Sequence, residues 1–285
     1  LMLMKINKIS FTYLKKIVSN LNNIKVHVIG DTIVDTYTET KMIGGQTKTP
    51  TISVLFQNEN NYVGGAGIVA MHLKAAGAKV IFSTVIGKDS SGDFAIRNFK
   101  KFKIDLKYKT ENSRPTTNKN VIISQGYRML KLDRLDNKPI SHETLKSFSK
   151  DIVKSKAHGY VFSDFRHGIF NRDNIKYLSE HIPNKSLKVA DSQVASRWGN
   201  ICEFDNFDLV TPNEKEARFS TGEQDTTVRS LTRSIYEKSK PKNIILKLGS
   251  KGIYSTHFEK KGKNDENTFD FSVDSFVDTN IDPVG

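Results

Sequence analysis

Two carboxylates, Asp31 and Asp35, stand four residues apart just after a β-rich run that ends at Gly30. Carboxylates at the carboxyl end of a parallel strand sit where open α/β sheets bind ligands. Such a pair can accept hydrogen bonds from neighbouring sugar hydroxyls, although Asp31 serves equally well as the cap of the turn that follows. Further on, Gly64-Gly65-Ala66-Gly67 leads into the apolar run Ile68-Val69-Ala70-Met71. Glycines at a helix N-terminus let a ligand approach bare backbone N–H groups. A tight turn or close packing would use them too, and the GxGxxG spacing of a dinucleotide site is absent.

Thr211-Pro212-Asn213-Glu214-Lys215-Glu216 follows a strand-like run and opens a helical one. Asn213 is a natural N-cap with Glu216 at the third helical position, which makes a capping box. The same pair could hold the water shell of a Mg²⁺ ion, which keeps several waters and takes few direct carboxylates. Lys247-Leu248-Gly249-Ser250-Lys251-Gly252 is a strand end followed by a glycine turn. Asp282-Pro283-Val284-Gly285 ends on a glycine that reads as the first residue of a phosphate-cradling turn.

These residues need a scaffold, and the periodicity supplies one. After an amphipathic opening helix, with Leu14, Ile17, Val18 and Leu21 at helical spacing, β-rich runs alternate with helical patterns. Strands are predicted over 25–30, 79–86, 159–164, 187–191, 208–211 and 243–248, and helices near 67–76, 92–102, 142–154, 173–181 and 227–238. Near-continuous apolar strands with crossover helices favour a parallel, doubly wound sheet covered on both faces. Two stretches stand outside that scheme, 46–62 and 118–135; the second reads as a β-hairpin around Gln125-Gly126. Together they would form a small sheet standing off the core as a lid. A polar insert, 260–267, separates two further strand-like runs.

The chain has 285 residues and one cysteine, Cys202, so an internal disulfide and a cysteine metal cluster are excluded. No apolar run approaches the ~20 residues that span a bilayer, which sets the expectation of a soluble, cytoplasmic protein with no membrane partner. The formal charge of +13 raises nucleic-acid binding. The lysines fall in short groups without interleaved aromatics, a pattern that fits a solvated surface and gives no reason to expect a nucleic-acid partner.

In order and spacing the motifs resemble the PfkB (ribokinase-like) sugar kinases, over nearly the whole chain from about Lys25 to Gly285. In that family a strand ending in Gly-Asp or Gly-Ser is followed by a substrate-binding Asp, a Gly-Gly segment, an NxxE element, a glycine turn near the nucleotide and DxxGAGD. Gly30, Asp31 and Asp35 match the first of these, and Gly64 with Gly65 the second. Asn213 to Glu216, Gly249 to Gly252 and Asp282 to Gly285 match the rest. Within the family the wording is most similar to the kinase domain of the bifunctional heptose 7-phosphate kinase and ADP-heptose synthases. Gly30-Asp31-Thr32-Ile33-Val34-Asp35-Thr36-Tyr37 is similar to their GDxxxDxY, Ser163-Asp164-Phe165 to SDY, and Leu209-Val210-Thr211-Pro212-Asn213 to LLTPN.

The resemblance implies an α/β ribokinase-like fold: a doubly wound, mostly parallel sheet with helices on both faces and a small β lid at about 44–63 and 117–135. An N-terminal helix would occupy 1–24 and the kinase domain 25–285. The implied reaction is ATP- and Mg²⁺-dependent phosphorylation of a sugar or sugar phosphate, best matched by D-glycero-D-manno-heptose 7-phosphate going to the 1,7-bisphosphate. Asp31, Asp35, Gly64, Gly65 and Lys119 would contact the sugar. Asp191, Asn213, Glu216, Lys247, Gly249 and Gly252 would face the nucleotide, with Asn213 and Glu216 organising Mg²⁺ through water. Gly285, beside Asp282, would begin the anion hole. A lid would exclude water and so suppress hydrolysis of the donor, and its free strand edges could pair with a second copy.

Three departures from the family pattern bear on activity. Ile68 stands where a substrate-contacting Asn is common, and Asp191-Ser192-Gln193 stands in place of Asp-Pro-Lys. The Asp that ends GAGD, the family's general base, would fall three residues beyond Gly285, so both ends of the chain read as cuts and the chain as written is expected to lack kinase activity. A positioned base contributes roughly 10²- to 10⁴-fold. The rival expectation is a degenerate, non-catalytic sugar- or nucleotide-binding protein, or a kinase of the same family for another sugar.

Overall fold

The computed structural model describes residues 10–44, 51–193, 199–260 and 266–275. In chain order the elements begin with α1 (Phe11–Ser19), β1 (Lys25–Gly30), β2 (Thr32–Gly44), β3 (Ser53–Gly64), α2 (Gly65–Ala75), β4 (Lys79–Val85), α3 (Ser90–Lys101) and β5 (Asp105–Lys109). Then come β6 (Thr117–Ser124), β7 (Tyr127–Arg134), α4 (His142–Ser155), β8 (Gly159–Asp164), α5 (Arg172–Glu180) and β9 (Leu187–Ser192). The last are β10 (Leu209–Val210), α6 (Glu214–Thr221), α7 (Val228–Ser239), β11 (Asn243–Lys247), β12 (Ile253–Lys260) and β13 (Glu266–Val273).

The main sheet runs β13-β12-β11-β10-β9-β8-β1-β4-β5. Every pairing from β5 to β11 is parallel, and β12 and β13 add an antiparallel hairpin at one edge. Central strands are apolar on both sides because both sides are covered. In β1, Val26 and Val28 join one apolar cluster with Ala66 and Ala70 of α2 and Phe99 of α3. Ile29 of the same strand turns the other way, into a cluster with residues of α4, α5, α6 and α7. The fold is thus mostly parallel α/β with helices on both faces, as expected.

The second sheet, ordered β3-β2-β6-β7, is the lid. Its expected segments, 44–63 and 117–135, supply β3, β6 and β7. The fourth strand, β2, was not foreseen: it leaves the core one residue after β1 and runs through Asp35, in a stretch whose acidic residues disguise a strand. β5 was also missed, being short and lysine-rich. The opening helix is real, but none of its residues is buried, and Leu21 falls in a 3-10 turn over Asn20–Asn23.

The topology fixes where a ligand goes. From β1 the chain crosses to β4 and β5 on one side and returns to β8 on the other. Strand order therefore reverses between β1 and β8, and the crevice outside their carboxyl ends is the switch point where such sheets bind ligands.

Candidate active site

Asp31 occupies the single-residue step between β1 and β2, at that switch point. The residue is 3% exposed, and its Oδ2 accepts from the backbone N–H groups of Phe165 (3.1 Å) and His167 (3.2 Å), in the loop after β8. Burial, then the neighbouring Asp164 charge, raise the Asp31 pKa to about 7 against the opposing pull of those N–H donors. Asp164 ends β8 fully buried, and burial raises its pKa as well. It accepts from the backbone N–H of Arg166 (2.8 Å), from Arg166 Nε (2.8 Å) and from Ser192 Oγ (3.0 Å). The Arg166 guanidinium also pairs with Glu203, so a partly buried cation lies between two carboxylates.

The lid supplies the rest of this cluster. Pairing of β2 with β6, and of β6 with β7, aligns Asp35, Lys119 and Asp133 in one row across the sheet. Burial raises the Asp35 pKa, opposed by Lys119 and Lys131. Burial and Lys131 lower that of Lys119, opposed first by Asp35. Lys119 Nζ lies 5.7 Å from the centroid of the Phe165 ring, which ties the lid to the loop after β8.

The glycines at the start of α2 serve these carboxylates. A Cβ on Gly64 would stand 2.0 Å from Asp35 Oδ2, and one on Gly65 would stand 2.4 Å from the Asp31 carbonyl oxygen. Gly65 also has φ +59°, a left-handed conformation that glycine adopts without strain. The N–H of Ala66 donates to the Asp31 carbonyl oxygen at 2.9 Å. Close packing, one of the two roles open to these glycines in the sequence, is what the structure shows.

Farther along the same strand edge lies a second cluster. The capping box is complete: Asn213 Oδ1 accepts from Glu216 N and Glu216 Oε2 accepts from Asn213 N, both at 2.8 Å. Glu216 is 5% exposed, and burial raises its pKa. Asp191 Oδ1, on β9, accepts from Lys247 Nζ (2.8 Å) at the end of β11 and from Thr211 Oγ1 (2.9 Å). Gly249 and Gly252 bracket the 3-10 turn that follows β11, both at positive φ. The arrangement offers hydroxyl acceptors and a cation at the switch point, with a cation, a buried carboxylate and a glycine turn beside it.

The model of the pfkB family of carbohydrate kinases matches residues 23–280. The chain belongs to this family. Among curated relatives, the bifunctional protein HldE of Helicobacter hepaticus is 27% identical over 201 residues, covering 70% of this chain and 41% of the relative. HldE of Campylobacter jejuni subsp. doylei is 30% identical over 195 residues, covering 68% and 40%. The chain thus spans less than half of those relatives. Among solved structures, ribokinase from Giardia lamblia superposes with a TM-score of 0.66 at 17% identity, over 86% of this chain and 79% of that one. Phosphofructokinase-2 from Escherichia coli in complex with fructose-6-phosphate gives 0.65 at 14%, over 86% and 79%. At such identities the structures speak for the fold alone.

Within this pfkB domain the expected sugar residues Asp31, Asp35, Gly64, Gly65 and Lys119 come together at the switch point. The expected nucleotide residues Asp191, Asn213, Glu216 and Lys247 gather beside the glycine turn. Asp282 and Gly285 lie outside the described residues. Ile68 is half-buried in α2, and Gln193 is exposed with its N–H on the Asp164 carbonyl oxygen (3.0 Å). Sequence reading missed Arg166, His167 and Glu203, and named Thr211 within its motif without a role. Ser163-Asp164-Phe165 had marked the right loop but stopped short of Arg166 and His167; Glu203 carries no local signal at all.

Proposed function

We propose that this domain transfers the γ-phosphoryl group of ATP to a hydroxyl of a sugar phosphate, with D-glycero-D-manno-heptose 7-phosphate as the preferred acceptor. The observation that carries this reading is the convergence of Asp31, Asp35 and Lys119 at the switch point, one cation among hydroxyl acceptors. Similarity to HldE proteins and the wording of residues 30–37 support heptose over other sugars. Asp31 and Asp35 orient the sugar hydroxyls, and Lys119 meets the phosphate the sugar already carries. Lys247 meets the phosphates of the nucleotide, and the turn from Gly249 to Gly252 lies against it.

The residues present fit Mg²⁺ held through water. The capping box uses Glu216 Oε2 and leaves Oε1 to accept from a metal-bound water, and Mg²⁺ typically keeps several such waters. The ion, when bound, neutralises charge on the transferred phosphoryl group, and this chain's part is positioning and charge complementarity.

The lid supports a homodimer. Phe56, Leu130 and Leu132 are 61%, 57% and 58% exposed, and strand register puts them on the face opposite Asp35. A second copy would cover them, and light scattering of the purified chain checks it. Dependence on ATP and a free Cys202 favour the cytoplasm.

The decisive experiment incubates the domain, carried past Gly285 through the Ala-Gly-Asp of the family pattern, with ATP, Mg²⁺ and a panel of sugars and sugar phosphates, with products read by mass spectrometry. A bisphosphate formed from the heptose 7-phosphate in preference to hexose phosphates is expected. Preference for an uncharged sugar would sink the assignment of Lys119.

A further inference from the structure

His167 lies in the loop after β8, and its backbone N–H is one of the two donors that hold Asp31. Its side chain is engaged at one end only. Nδ1 lies 2.8 Å from the carbonyl oxygen of the Asn137 side chain, which can only accept, so Nδ1 carries the proton. Burial first, then Lys119, lower the His167 pKa to about 4, so near neutral pH the ring holds this single proton. Nε2 is therefore a bare acceptor, closed to solvent and without a hydrogen-bond partner among the described residues. Native structures seldom leave a buried polar atom in that state, and those that do call for an explanation. The charged groups acting on the ring are Lys119, Asp133 and Lys131, and all three stand on the lid strands β6 and β7.

We propose that His167 Nε2 accepts a hydrogen bond from a sugar hydroxyl and is, beside Asp31 and Asp35, a third acceptor that sets which polyol the site takes. This rests on the sugar-kinase reading above. The sugar reaches Nε2 when the groups that close it from solvent give way, and the new bond then takes the place of the missing partner. A hydroxyl satisfies this lone pair, whereas a ligand with only acceptors there would leave it opposed. His167 is thus a specificity residue for a polyhydroxylated substrate, coupled through its own N–H to the orientation of Asp31.

The test is calorimetric binding of D-glycero-D-manno-heptose 7-phosphate, and of monodeoxy sugar phosphates, to the wild type, His167→Leu and His167→Gln. Binding does not depend on turnover, and thermal melting verifies that each variant is folded. We expect His167→Leu to weaken binding about tenfold, as loss of a buried acceptor should, and His167→Gln, whose amide oxygen can accept, to recover most of it. One deoxy compound should bind the wild type weakly and lose nothing further in His167→Leu, which identifies the hydroxyl by a double-mutant argument. Unchanged binding by a folded His167→Leu, or equal loss in both variants with every compound, overturns the assignment while leaving the sugar site intact. Failure of the wild type to bind any sugar or sugar phosphate overturns the sugar site, and this assignment with it.

Discussion

A methyl group at Gly64 would stand 2.0 Å from Oδ2 of Asp35, so the mouth of α2 and the lid carboxylate meet only because residue 64 has no side chain. The clashing atom is the free end of a carboxylate that can swing away, and Gly64 has an ordinary φ of −122°. Gly64→Ala should therefore fold, with Asp35 displaced and the sugar KM raised about tenfold, the size of one lost hydrogen bond to a charged group. Gly65→Ala should behave in the opposite way. Its methyl would meet a backbone carbonyl at 2.4 Å in a left-handed conformation. A cost of at least ~1–3 kcal/mol should lower Tm by several degrees. Melting curves and sugar KM for the pair separate a site effect from a folding effect.

Stability should fall as pH rises through the titration of Asp31. Its folded pKa, about 7, lies above its ordinary value of 3.8, so between those values the native state binds the proton that the unfolded chain has released. The stabilisation is complete below the lower value and lost as pH passes the upper one. Tm of the wild type should decline between pH 5 and pH 8. In Asp31→Asn, which cannot ionise, the decline should be shallower; parallel curves would refute the assignment of this titration to Asp31.

Arg166→Met should destabilise the protein severely. The substitution leaves Asp164, fully buried, without its cation, and breaking one side of a buried pair costs about 3–5 kcal/mol. Urea unfolding of the variant against the wild type measures this. The double change Arg166→Met with Asp164→Leu should recover part of the loss, because the fully buried charge is then gone and only Glu203, whose side chain is 15% exposed, lacks its cation.

Glu216→Gln and Asn213→Ala divide capping from metal binding. Glutamine can still accept from Asn213 N, so Glu216→Gln should melt near the wild type while the Mg²⁺ concentration needed for half-maximal activity rises. Asn213→Ala removes the acceptor for Glu216 N and should cost about 0.5–2 kcal/mol. If Glu216→Gln leaves the Mg²⁺ dependence unchanged, Glu216 is a capping residue only.

Lys247→Met should raise the KM for ATP by about tenfold and leave the KM for sugar unchanged, since its ion-pair partner Asp191 stands on β9, two strands from the β1 end that carries Asp31. A change in the sugar KM instead would assign Lys247 to the other half of the site.

The alternation of apolar strands and helices, the carboxyl-end positions of Asp31 and Lys247 and the capping box at Asn213 were legible in the sequence. Each depends on residues within a few positions of one another, where periodicity and backbone chemistry act directly. The lid strand β2 was not, because Asp35 and Glu39 disguise a strand whose partners, β3 and β6, begin 21 and 85 residues after Thr32. Nor was His167, whose meaning comes from Asn137 fixing its proton and from the charges of Lys119, Lys131 and Asp133 on the lid strands.

The sequence by itself thus determined the fold class and which strand ends could carry chemistry. Only the tertiary structure decided what surrounds each group. The raised pKa of Asp31, the neutral imidazole of His167 and the Arg166 pair are products of desolvation and of contacts between distant segments. Those depend on how completely the lid and the loop after β8 exclude water, a property of packing that no local pattern encodes.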